Sequence, residues 1–80
     1  MSILERVGKV FENVFDFEAS NISASTVPDD VPKWDSIGHM SMVSELETEF
    51  SVQFELDEVM EMADVGKILE ILTNKGIKDL

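Results

Sequence analysis

The sequence has 80 residues, no cysteine, and 17 acidic against 6 basic residues, for a formal net charge of −11. Without cysteine the chain has neither disulfides nor thiolate metal sites, and its acidity excludes nucleic acid as a partner because phosphates are repelled. No apolar run reaches the roughly 18 residues of a membrane-spanning helix, so we expect one cytoplasmic domain over residues 1–80, with a modest core and no membrane insertion.

The first predicted element is an amphipathic helix over Ile3–Phe15, in which the apolar residues recur at the spacing of one helix face. A long loop over residues 20–33 follows, rich in Ser, Asn, Thr, Asp and Pro, which are typical of irregular structure. Its two prolines favour extended geometry at the residues before them. We expect Ile22, Val27 and Val31 to hold this loop on the core.

A second helix is predicted over Ser36–Phe50, with Asp35 as its N-cap because a carboxylate there accepts hydrogen bonds from first-turn amides. At about 100° per residue, the core-facing stripe of this helix consists of His39, Met42, Val43, Leu46 and Phe50. Trp34 precedes the cap and His39 is the fourth helical residue, so the two rings are expected to meet as a hydrophobic staple.

Two apolar residues of the second helix, Ile37 and Met40, fall outside this stripe and beside Ser36. A small apolar patch rimmed by acidic residues and facing away from the core is typical of a docking surface. The alternative is that both side chains pack beneath the first loop or against the next, short helix.

The remaining chain is predicted to form a connector over residues 51–56, a short helix over 57–62, and a last helix that Asp64 caps. That helix reaches Lys75 and ends at Gly76, where left-handed backbone is usual. The alternating pattern at 51–56 is strand-like, but one strand cannot form a sheet. We therefore predict an all-α four-helix bundle with three longer helices, one short helix and a long first loop.

Acidic residues are concentrated in the second half of the chain. From Asp35 to Asp64 there are nine Asp and Glu residues and no Lys or Arg. Such a stretch either forms a solvated surface with no further role or produces a negative electrostatic field that steers basic partners toward the molecule.

Ser36 lacks the residues that would make it a catalytic nucleophile. Trp34 stands where a G-x-S-x-G elbow needs its first glycine, and His39, the single histidine, is turned toward the core. We therefore expect neither an enzyme nor a catalytic residue. No metal site is expected either, because a calcium loop starting at Asp29 has Val31 and Lys33 where oxygen ligands are needed.

The residues Asp35-Ser36-Ile37, followed by a helix that ends Glu-Leu-Glu-Thr-Glu-Phe and by a short acidic helix, resemble the acyl carrier protein family and its Asp-Ser-Leu motif. The likeness extends over nearly the whole chain and implies the family's four-helix fold. It implies that a phosphopantetheinyl transferase attaches 4′-phosphopantetheine from coenzyme A to Ser36. The protein would then hold acyl intermediates as thioesters on this arm and shuttle them between enzymes.

The resemblance also implies roles for further residues. Those that meet partner enzymes are Asp35, Ile37, Met40, Ser41, Glu47 and Met62. Those near the core that shelters an acyl chain are Val43, Leu46, Val59 and Ile68. The implied partners are acyl-activating, acyl-transferring or condensing enzymes with basic docking surfaces, and the carrier itself is expected to be a monomer.

Three positions depart from the carriers of fatty acid synthesis, which usually have a small residue at Trp34, an acidic or polar one at Gly38 and a glutamate at Ser41. These departures suggest a specialised lipid or secondary-metabolite pathway, and the Met1 start suggests a free-standing carrier. An aminoacyl or peptidyl carrier remains an alternative. The second alternative belongs to a different class of protein and is an acidic helical adaptor without a prosthetic group.

Overall fold

The computed structural model describes residues 2–79, and this part of the chain is all-helical, with no β-strand. Met1 and Leu80, the ends of the predicted domain, lie outside it. The four helices are α1 (Ile3–Phe15), α2 (Ser36–Phe50), α3 (Leu56–Glu61) and α4 (Val65–Asn74). The predicted helices are confirmed, with α3 starting and ending one residue earlier than expected and α4 ending one residue earlier.

Local side-chain caps explain why α1 begins where it does. Ser2 Oγ accepts from the Glu5 amide at 3.0 Å, and Glu5 Oε1 accepts from the Ser2 amide at 2.9 Å. This capping box satisfies two backbone donors that a helix start otherwise leaves unpaired. At the other end Asp16 adopts left-handed backbone, with φ 56°, and stops the helix.

The core lies between the helices, and α1 packs against α2. The predicted stripe of α2 is confirmed for its four apolar members, because Met42, Val43, Leu46 and Phe50 are buried. His39 is half-buried at the edge of the core. The largest side chains that are fully enclosed come from α1, α2 and α4: Phe11, Met42, Leu46, Ile68 and Leu72.

The long first loop is fastened to α4 by backbone hydrogen bonds. The amide of Val65 donates to the Thr26 carbonyl at 3.0 Å, and the amide of Gly66 donates to the Ala24 carbonyl at 2.8 Å. These two first-turn amides of α4 thereby find partners that the helix itself cannot supply. Of the predicted loop anchors, Ile22 and Val31 are buried and Val27 is half-buried; two 3₁₀ turns, Ala19–Asn21 and Pro28–Asp30, shorten the irregular stretches.

Candidate functional site at the start of α2

Asp35 is the N-cap of α2, as predicted. Its backbone is extended, and its Oδ1 accepts from the Gly38 amide at 2.8 Å. Ser36 is therefore the first helical residue, is exposed, and has no capping role. The first turn of α2 thus presents a hydroxyl group to solvent at the positive end of the helix dipole.

Trp34 and His39 meet across this cap, as the predicted staple requires, but through a hydrogen bond between their rings. Trp34 Nε1 donates to His39 Nδ1 at 2.8 Å, and the two ring planes are within 6° of each other. On its other side, His39 Nε2 lies 2.9 Å from the Val59 carbonyl oxygen in α3. Both ring nitrogens are therefore engaged, and neither is available to activate the Ser36 hydroxyl.

The Trp34 indole also packs against two aromatic rings of α1 in the core. It meets Phe11 edge-to-face at a centroid distance of 5.1 Å and lies 6.1 Å from the Phe15 ring. Only 5% of Trp34 is exposed. Because aromatic pairs of this geometry stabilise beyond their buried area, the residue before the cap is fixed in place, and so is the start of α2.

Gly38 has no room for a side chain. A Cβ at this position would collide with the Lys33 carbonyl oxygen and would come within 2.9 Å of Phe15 Cε1. Lys33 itself has left-handed backbone, with φ 75°, which turns the end of the first loop onto α2. The absence of a side chain at position 38 therefore follows from how tightly the loop covers this helix turn.

An open groove of about 610 Å³ runs beside Ser36, between the second 3₁₀ turn, the start of α2 and α3. Apolar side chains dominate its wall. The lining residues are Pro28, Trp34, Asp35, Ser36, His39, Met40, Leu56, Val59, Met60 and Met62.

Large apolar side chains are exposed around this groove. Leu56 is 74% exposed, Met60 77% and Met40 54%, and all three border the groove. Ile37 follows Ser36 in the sequence and is 82% exposed. This exposure rules out the alternative that Ile37 packs beneath the first loop, and it makes the surface around Ser36 an apolar patch.

The residues expected to meet partners fall into two groups. Asp35, Ser41, Ile37 and Met40 are exposed near Ser36. Glu47 is half-buried, and its Oε2 accepts from the Phe54 amide at 3.0 Å, so it holds the connector after α2. Met62 is only 3% exposed and offers a partner almost no surface, because it ends α3 with its side chain turned into the core.

The residues expected to shelter an acyl chain are all buried. Val43, Leu46 and Ile68 belong to the packed core, and none of them lines the groove. Val59 does line it, from α3. The structure thus brings only one of the four predicted residues to the space beside Ser36.

Sequence reasoning missed Leu56 and Met60 as members of the surface around Ser36. Part of the signal was present, because the exposed pair Leu56 and Met60 are four apart and lie together on α3, whereas the buried pair Val59 and Met62 are three apart and lie together on the neighbouring face. Which of these faces meets the core depends on where the short helix rests.

The carboxylates of the acidic stretch differ in their surroundings. Glu49 pairs with Arg6, Asp64 caps α4 through the Lys67 amide, and Glu58 lies 2.9 Å from the Lys75 ammonium group. That ammonium group, with the Glu55 amide as the second cause, holds the pKa of Glu58 below the usual glutamate value of 4.5. Asp57 and Glu61 remain on the exposed surface of α3, next to Leu56 and Met60.

Residues 2–79 contain neither a metal-binding cluster nor a membrane-spanning helix. No group of three or more His, Cys, Asp and Glu side chains is arranged to hold a metal ion. No helix in the same range is long and apolar enough to cross a membrane.

No protein-family model matches this chain, and no curated protein matches it significantly.

Proposed function

We propose that this protein is an acyl carrier protein that holds acyl groups as thioesters on a 4′-phosphopantetheine arm attached to Ser36. One observation carries the proposal: Ser36, within the Asp35-Ser36-Ile37 motif, is exposed at the first turn of α2 and lines an open apolar groove. The four helices and the long first loop agree with the architecture that the resemblance implies.

The surroundings of Ser36 fit this group. Asp35 carries out the capping, so the hydroxyl oxygen is accessible to a transferase. Attachment would form a bond between that oxygen and the phosphorus of the arm, break the pyrophosphate bond of coenzyme A, and release adenosine 3′,5′-bisphosphate as the leaving group together with the hydroxyl proton. The resulting phosphodiester is negatively charged and lies at a helix N-terminus, where backbone dipoles favour an anion. The attached arm supplies a terminal thiol for thioester formation.

The apolar patch and the acids next to it suit transient partners with basic docking surfaces. Ile37 and Met40 from α2 and Met60 from α3 supply exposed apolar area, while Asp57 and Glu61 flank Met60 with negative charge. Charge complementarity speeds encounter with phosphopantetheinyl transferase and with acyl-activating, acyl-transferring or condensing enzymes. A modest buried area favours release, which a shuttle between enzymes needs.

In this proposal the chain acts as a cytoplasmic monomer and is not itself an enzyme. The departures at Trp34, Gly38 and Ser41 favour a specialised lipid or secondary-metabolite pathway. At Ser41 a neutral side chain replaces an anionic one on the docking face, so the partners would differ from those of general fatty acid synthesis.

The experiment is to incubate the protein with coenzyme A and a broad-specificity phosphopantetheinyl transferase and to measure its intact mass. We expect one phosphopantetheine per chain. Ser36→Ala should abolish the gain, whereas Ser44→Ala, an exposed serine further along α2, should leave it unchanged. No gain in the native protein, or an undiminished gain in Ser36→Ala, would contradict the carrier function and favour an adaptor without a prosthetic group. Incubating the modified protein with different activating enzymes then distinguishes an acyl carrier from an aminoacyl or peptidyl carrier, according to which enzyme loads it.

A further inference from the structure

A directed chain of two hydrogen bonds links the start of α2 to α3. An indole nitrogen only donates, so His39 Nδ1 must accept from Trp34 Nε1. His39 is then the neutral tautomer with its hydrogen at Nε2, and this hydrogen is donated to the Val59 carbonyl at 2.9 Å. His39 therefore ties α3 to α2 in the orientation that the buried Trp34 dictates.

The helix held by this tie is short. Leu56–Glu61 has six residues, too few to form a stable helix alone. At its C-terminal end the Val59 carbonyl accepts only a long bond, of 3.4 Å, from the Met62 amide, so the bond from His39 is the shorter of the two that it accepts. Besides the His39 bond, the Glu58–Lys75 ion pair and the burial of Val59 and Met62 keep α3 in place. Small losses among these contacts are therefore expected to loosen α3 before the rest of the fold.

Cargo attached to Ser36 has two regions near it, and Val59 of α3 borders both, because it lines the groove and belongs to the packed core. The outer one is the groove that Ser36 itself lines, which is open and has a volume of about 610 Å³. The inner one is the core around Leu46 and Ile68, which are fully buried. Insertion between these side chains requires α3 to move away from α2 and breaks the bond between His39 and Val59.

We infer that His39 is a latch that closes the core to the cargo, so that the acyl chain lies in the outer groove against Met40 and Met60. This inference rests on the proposed carrier function. The groove has the size of a small-molecule site, about 300–1,000 Å³, and the flexible thioether side chains adapt to chains of different shape. Tethering at Ser36 raises the effective concentration of the cargo to about the millimolar range, so weak apolar contacts suffice to hold it there.

The latch is tested first in the unmodified protein by amide hydrogen exchange. Two substitutions separate the functions of the ring. Asn at position 39 keeps an acceptor near the place of Nδ1 but does not reach Val59, whereas Gln keeps a donor near the place of Nε2. In His39→Asn we expect the amides of Val59 and Met62 to exchange about tenfold faster, as loss of one hydrogen bond predicts, with α1 unchanged. His39→Gln should stay within about twofold of the native rates. Equal exchange in α3 for native protein and His39→Asn would overturn the latch.

The cargo position is tested next on the phosphopantetheine form loaded with an octanoyl group, by methyl NMR. In the native protein we expect shifts at the methyl groups of Met40 and Met60, with those of Leu46 and Ile68 unchanged. His39→Asn should transfer the shifts to Leu46 and Ile68. Shifts at these core methyl groups in the native octanoyl protein would overturn the inference. Failure of the transferase to modify Ser36 contradicts the carrier function alone, because the exchange experiment needs no arm.

Discussion

Arg6 and Glu49 join α1 to the C-terminal turn of α2 through both the side chain and the backbone of the glutamate. Arg6 Nε lies 3.0 Å from Glu49 Oε2, and Nη2 donates to the Glu49 carbonyl at 2.8 Å. The same guanidinium lies over the Phe50 ring, 4.3 Å from its centroid. A helix-end carbonyl, a carboxylate and an aromatic face are thus bound by one cation that is mostly shielded from water.

Replacing Arg6 should therefore destabilise the fold more than replacing an exposed lysine. We expect Arg6→Gln to lower the free energy of unfolding by about 1–2 kcal/mol, because a charge-assisted bond and a cation–π contact are lost. Lys67→Gln, which removes an exposed ion pair of 3.5 Å with Glu70, should stay within about 0.5 kcal/mol. Urea unfolding at constant salt measures both, and equal losses would mean that the Arg6 contacts add nothing to an ordinary surface charge.

Gly38→Ala should destabilise α2, although alanine is the better helix former. Helix propensity alone predicts that alanine stabilises the helix by about 1 kcal/mol relative to glycine. The added methyl group, however, meets the Lys33 carbonyl and the Phe15 ring, and we expect a net loss of about 1–3 kcal/mol. Ser44→Ala, on the exposed side of the same helix, is the matched control and should change stability by less than about 0.5 kcal/mol. A more stable Gly38→Ala protein would show that the loop yields easily at Lys33.

Asp35 combines a structural role with a proposed one in recognition, and two substitutions separate them. Asparagine caps a helix as well as aspartate does, so Asp35→Asn should leave the unfolding free energy nearly unchanged, whereas Asp35→Ala should lower it by about 1 kcal/mol. Both should slow phosphopantetheine transfer several-fold at low salt, because both remove the charge beside Ser36. Transfer rates measured by intact mass test this, and a native rate in Asp35→Asn would confine Asp35 to capping.

Stability should depend on pH through Glu58. The Lys75 ammonium group lowers the pKa of Glu58 in the folded state below 4.5, so its contribution is present above that value. The contribution is lost as the pH falls through the folded-state pKa. We therefore expect the difference in melting temperature between native protein and Glu58→Gln to shrink on acidification. When Lys75→Gln is also present, Glu58→Gln should change the melting temperature less at neutral pH than it does in the native protein. An equal change would show that Lys75 is not the main cause of the lowered pKa of Glu58.

Ile37 should matter for partners and not for the fold. With 82% of its surface exposed, Ile37→Ser should change the unfolding free energy by less than about 0.5 kcal/mol. Leu46→Ala, in the core of the same helix, should cost about 2–5 kcal/mol. If Ile37 belongs to a docking surface, Ile37→Ser should nevertheless slow modification of Ser36 by the transferase. Native transfer kinetics in this variant would remove Ile37 from the proposed surface.

The helices and the Asp35 and Asp64 caps were predictable because the interactions that define them lie within one or two turns of chain. The Asp35 cap and its bond to the Gly38 amide are three residues apart. Trp34 and His39, which meet as the staple predicts, are five apart. The outward direction of Ile37 likewise follows from the 3.6-residue period of its own helix.

Features that depend on where distant segments rest were not predictable in the same way. The Lys33 carbonyl excludes a side chain at Gly38 only because the loop turns back on α2. Met62 is buried because of how α3 lies on the core, and nothing in its neighbouring residues distinguishes it from the exposed Met60. The groove beside Ser36 combines residues from the loop, α2 and α3, so its shape is a property of the packed molecule.

The chain contains one tryptophan and no tyrosine, and that tryptophan is Trp34, in the wall of the groove beside Ser36. Its intrinsic fluorescence therefore originates from a single indole next to the site. Changes in emission intensity or wavelength report on this one location, free of background from other fluorophores in the protein. If Ser36 carries the proposed arm, its attachment and the loading of cargo are expected to change this emission, which is measured in real time without a label.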